Sequence, residues 1–100
     1  MVKLSNARKV KHCDGKVKVG YSKQLKMNVM CITITDWIVD YDRWYKLEGT
    51  EINDDNLLRE RYNQVKEDYK SNRFLFSWRK NENTPEQASL LHSIIGDKNE

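Results

Sequence analysis

The sequence predicts an α+β domain: a three-stranded antiparallel meander followed by two helices, one further strand and a C-terminal helix, in the order βββααβα. Three observations carry that prediction. Lysine/valine alternation flanks an Asp14-Gly15 dipeptide, and a period of two runs on through residues 25–35. The apolar spacing then becomes helical, before alternation returns at residues 73–79. One hundred residues suffice for a single domain, 1–100, with one core. Residues 1–7 and 97–100 are expected to fray.

The first two strands come from RKVKHCDGKVKVGY, residues 8–21. Asp14-Gly15 supplies the two positive-φ positions of a type I′ turn, so a two-residue loop is expected there. Val10 then faces Val19, His12 faces Val17, Lys11 faces Lys18 and Cys13 faces Lys16. One side of this ribbon is apolar (Val10, Val17, Val19, with His12 and Tyr21), and the other carries Lys9, Lys11, Lys16 and Lys18. Like charges placed opposite one another destabilise a ladder. A Lys11–Lys18 pair therefore points to an anion that these side chains answer.

In the third strand, residues 25–35, Leu25, Met27, Val29 and Cys31 point one way and Met30, Ile32 and Ile34 the other. Apolar residues on both sides mean a central strand with something packed on each face. Ile34, Trp37, Ile38, Tyr41, Trp44 and Tyr45 lie on one arc at about 100° per residue. With Thr35 as N-cap and Gly49 as stop, they predict a helix near 36–48, against the strand preference of IVDYDRWY. On that helix Trp44 lies at the edge of the arc, the aromatic ring best placed to stay exposed.

Asn53 or Asp54 caps the next helix, whose seam is Leu58, Tyr62, Val65 and Tyr69. In residues 73–79, Phe74, Phe76 and Trp78 are assigned to one strand face. Alternating rings between Arg73 and Arg79 meet the outline of a base-stacking sheet. The glycine-bearing signature of such sheets is missing, however, and the rings are assigned to the core. Thr84-Pro85-Glu86-Gln87 is a capping box with proline at the first helical position. Ala88, Leu90, Leu91, Ile94 and Ile95 form that helix's apolar face, and Gly96 ends it.

The formal net charge of +3 conceals a polarity. Residues 1–35 hold eight Lys/Arg against Asp14 alone, whereas residues 36–72 hold ten carboxylates against six bases. A cationic surface for one partner and an anionic one for another would follow. No run of apolar residues is long enough for a signal peptide or a membrane span. Two cysteines make no disulfide framework, so reduced thiols and a cytoplasmic location are expected. Lys and Asn, at 12 and 9, fit an AT-rich source such as a phage or another mobile element.

No nucleophile elbow, phosphate loop or His-Glu-x-x-His motif occurs, and His12, Cys13, Cys31 and His92 lack the paired spacing of a zinc site. The chain is therefore expected to be a non-enzymatic binding protein with no cofactor and no metal. Lys9, Lys11, Lys16 and Lys18 are the candidate residues for nucleic acid or another anionic partner. The alternative is an inhibitor or adaptor that docks on a host protein of nucleic-acid metabolism. It would use an acidic belt and aromatic helix, with Asp36, Asp40 and Trp44 as contact residues.

Overall fold

A computed structural model describes residues 4–98 apart from 69 and 72, with side chains through residue 94. Strands β1 (Ser5–Lys9), β2 (Val17–Ser22), β3 (Met27–Asp36), β4 (Val39–Lys46) and β5 (Phe76–Ser77) pair antiparallel in chain order. Helix α1 (Asp55–Glu67) lies between β4 and β5, and α2 (Pro85–Lys98) closes the described chain. The class is α+β, a five-stranded sheet with two helices.

Each helix packs on its own face of the sheet, because β3 is apolar on both sides. On the α1 face, Val17, Val19, Met30, Ile32, Tyr41 and Tyr45 bury with Leu58 and Tyr62. On the α2 face, Val29, Cys31, Trp44 and Phe76 bury with Leu91 and Ile94. The Asp54 carboxylate accepts from the Leu57 N–H at 3.1 Å and so caps α1. The box at α2 is reciprocal: the Thr84 N–H donates to Gln87 Oε1 at 2.8 Å, and the Gln87 N–H donates to Thr84 Oγ1. Gln87 Nε2 also donates to the Phe74 carbonyl at 2.7 Å, tying the helix start to the strand before it.

Several expectations need correction. The Asp14-Gly15 turn forms, with φ of +55° and +70° and the Lys16 N–H donating to the Cys13 carbonyl. The ladder, however, is set two residues away from the expected register. Lys9 pairs with Lys18, Arg8 with Val19, and the Val10 N–H bonds the Val17 carbonyl. His12 takes φ +62° and is exposed, so residues 11–16 leave the ladder and Lys11 does not face Lys18. Val10, Val17 and Val19 still turn inward. The strand begins at Ser5, earlier than expected, and the expected fraying of residues 1–3, 99 and 100 lies outside the described residues.

Residues 36–48 form no helix: Trp37-Ile38 is a two-residue turn, and Asp36 pairs with Val39. The helical spacing was a by-product of a strand buried on both faces. Tyr41 and Tyr45 face α1, Trp44 faces α2, and the inward residue between the tyrosines is Arg43. A charged residue at an inward position hides the period of two. Trp44, expected at an exposed edge, is 6% exposed.

Around β5, Phe74 belongs to the α1-face core and Phe76 to the α2-face core, so the two rings do not share a face. Only Phe76 and Ser77 pair with β4, and the chain bends before them. Helix α2 continues through Gly96 to Lys98. Tyr69 of the α1 seam and the Ile95 side chain lie outside what is described.

Candidate functional site

Helix α2 covers only one end of its sheet face. Beyond it, among the described residues, the face stays open as a groove of about 300 Å³ running from the β1–β2 edge to Trp78 beyond β5. Alternation decides which side chains line it. In β2 and the residue before it, Lys16 and Lys18 point to this face, because Val17 and Val19 point to the other. Thr33 and Cys31 of β3 and Asp42 and Trp44 of β4 complete the floor.

Three of the four candidate lysines gather here. Lys9 stands opposite Lys18 across the β1–β2 ladder, and both are exposed. Lys16, half-buried, donates from Nζ to Thr35 Oγ1 at 2.8 Å. None of the three is ion-paired with a carboxylate among the described residues. Lys11 sits apart in the connecting loop, near Asp55 at the start of α1. Arg8 also reaches Asp55, at 2.6 Å, and holds its carboxyl below the usual range, assisted by Lys11. Lys11 thus belongs to the α1 side.

The groove's polar groups are partly engaged. Asp42 Oδ1 accepts from the Thr33 hydroxyl at 2.8 Å. Burial, and next the charge of Asp42, push the Cys31 thiol up to about 12, so it stays protonated at neutral pH. Trp44 stacks on Phe76 with ring centroids 6.0 Å apart, and its buried indole N–H has no acceptor among the described residues.

The second set of candidates is dispersed. Asp36 pairs with Arg79, Asp40 is exposed on β4, and Trp44 lies in the α2-face core. In their place, the β3–β4 turn presents exposed apolar side chains, of which Trp37 and Ile38 belonged to the expected helix arc. Trp37 is 87% exposed, Ile38 77% and Val39 48%, and Trp37 has φ +61°. No glycine or asparagine marks this turn, so no turn signal pointed to it. Trp78 keeps the face it was assigned to share with Phe76, but it is half-buried and lines the groove instead of lying in the core.

The fold and groove define a small α+β domain with a half-open sheet face. Compared with protein-family models, curated proteins and solved structures, the chain has no match. Among the described residues, no helix is long and apolar enough to cross a membrane.

Proposed function

We propose that this chain is a non-enzymatic binding protein that engages the phosphate backbone of nucleic acid through Lys9, Lys16 and Lys18. The observation that carries this reading is the Lys9–Lys18 cross-strand pair, with Lys16 on the same face and no ion-paired carboxylate among the described residues. Two ammonium groups held opposite one another repel, and a phosphate between them turns that repulsion into binding. Lys11 contributes at most a peripheral contact, since it faces the start of α1.

Such binding tolerates sequence and depends on salt. Three phosphate contacts give a log–log salt slope of about −3 on duplex DNA and about −2 on single strands. Fluorescence anisotropy with generic oligonucleotides across a salt series measures it. The double charge reversal Lys9→Glu, Lys18→Glu should abolish the binding. A slope near zero, or unchanged affinity in that variant, would remove the lysine face from consideration.

The Trp37-Ile38 turn favours a second reading, an inhibitor or adaptor directed at a host protein of nucleic-acid metabolism. Exposed tryptophan is a frequent anchor in protein interfaces, and the exposed Asp40 beside the turn suits a pocket with a cationic rim. Affinity capture from host lysate, with wild type against Trp37→Asn, tests it. A captured protein that is indifferent to the substitution would exclude the turn as the contact.

A further inference from the structure

We infer that the groove on the open sheet face accepts unpaired bases, so that the preferred nucleic acid is single-stranded. The inference rests on the phosphate-binding reading above and adds to it the other wall of the groove. Lys16 and Lys18 line one end and the half-buried Trp78 ring lines the other, with the short side chains of Cys31 and Thr33 between them. From β2 to β5 there are three interstrand steps, about 14 Å. A strand anchored at the lysines therefore reaches Trp78 with a following base.

Two features of the groove match a base rather than a phosphate at that end. Trp78 offers a ring face on which any base can stack. Asp42, hydrogen-bonded to Thr33, places a carboxylate there that disfavours phosphate and can accept from an exocyclic amino group. A duplex keeps its bases stacked inside and can present only its backbone to the lysines. Among the described residues, no side chain of helix α2 lines this groove.

The test compares a dT oligonucleotide of about a dozen nucleotides with a dT·dA duplex of the same length, at low salt. Anisotropy and quenching of tryptophan fluorescence are the readouts. The single strand should bind at least ~10-fold tighter than the duplex. Trp78→Ala should weaken single-strand binding by about 5- to 150-fold and leave duplex binding unchanged. Trp78→Phe should keep most of the preference, and far-UV circular dichroism checks the fold of both variants. Should Trp78→Ala not fold, the wild-type ratio and Trp78→Phe decide the matter. Equal wild-type affinity for the two forms would overturn this inference while leaving phosphate binding by Lys9, Lys16 and Lys18 in place. Absence of binding to either form would overturn both.

Discussion

Lys9 and Lys18 occupy directly opposed positions on the β1–β2 ladder, and among the described residues neither has an ion-paired carboxylate. That arrangement opposes folding slightly, since like charges across a ladder are unfavourable. Lys9→Glu should therefore stabilise the free protein by about 0.5 kcal/mol at low ionic strength. The double variant Lys9→Glu, Lys18→Glu should return to wild-type stability, because it restores a like-charged pair. Urea titrations of the three proteins measure this, and the differences should shrink as salt is raised. A destabilised Lys9→Glu would show that the two side chains diverge.

Arg43 is 1% exposed, and Glu82 meets it at 2.7 Å while also accepting from the Tyr41 and Ser77 hydroxyls. The guanidinium lies 4.9 Å from the centre of the Phe74 ring, deep in the α1-face core. Glu82→Ala should cost about 3 kcal/mol, because it strands a buried charge. Replacing both partners with apolar residues should cost less. Chemical denaturation of the single and double variants separates the two outcomes.

The same carboxylate sets an acid limit. Burial of Glu82 alone would raise its pKa, but hydrogen bonds from Arg43, Tyr41 and Ser77 outweigh burial and hold it below the ordinary 4.5. A carboxyl with a lower pKa in the folded state contributes stability that is fully present above its unfolded pKa. That contribution is lost as pH falls through the folded value. Wild-type stability should therefore decline as the pH drops below 4.5. Glu82→Gln should start less stable and lose less over that interval, as followed by thermal melts. Parallel declines would mean that other carboxylates set the acid limit.

Two glycines separate conformational from steric requirements. Gly15 has φ +70° and open space where a Cβ would sit, so Gly15→Ala should cost about 1 kcal/mol from backbone strain alone. At Gly20 a Cβ would lie 2.8 Å from Leu4 Cβ and 3.0 Å from the Ser5 carbonyl oxygen, where β1 crosses an irregularity. Gly20→Ala should cost about 2 kcal/mol, through overpacking against backbone. Urea unfolding of the two variants tests the order. Equal costs would mean that β1 shifts freely.

What was legible in the chain was what neighbouring residues decide among themselves. The Asp14-Gly15 turn, the Asp54 cap and the Thr84–Gln87 box formed as read, since each joins groups within a few residues. The β1–β2 register was not legible, because it turns on His12 adopting a left-handed φ, which its residue type does not announce. Strand β4 was obscured by Arg43, whose inward place depends on a Glu82 distant in sequence. Its strand-prone composition was the sounder signal, and the helical spacing came from rings divided between two faces. Of the candidate groove, the lysines could be read locally. The face of Trp78 could also be read, by alternation with Phe76, but not its half-buried place at the groove's end, which depends on how far α2 covers the sheet.

Trp37 offers the clearest separation between stability and contact. It occupies φ +61°, a region costly for bulky residues, and its ring is 87% exposed, so the core gains almost nothing from it. Asparagine tolerates that backbone region better. Trp37→Asn should leave the fold intact and raise stability by about 0.5–1 kcal/mol, or roughly 3–6 °C in melting temperature. Differential scanning calorimetry measures the shift. A loss greater than about 1 kcal/mol would show that the ring supports the turn and is not free to act as an anchor. With the stability gain in hand, any weakening of a protein complex by Trp37→Asn is a lost contact and not a lost fold. The same variant should keep wild-type affinity for oligonucleotides, because Trp37 lies outside the groove that Lys16, Lys18 and Trp78 line.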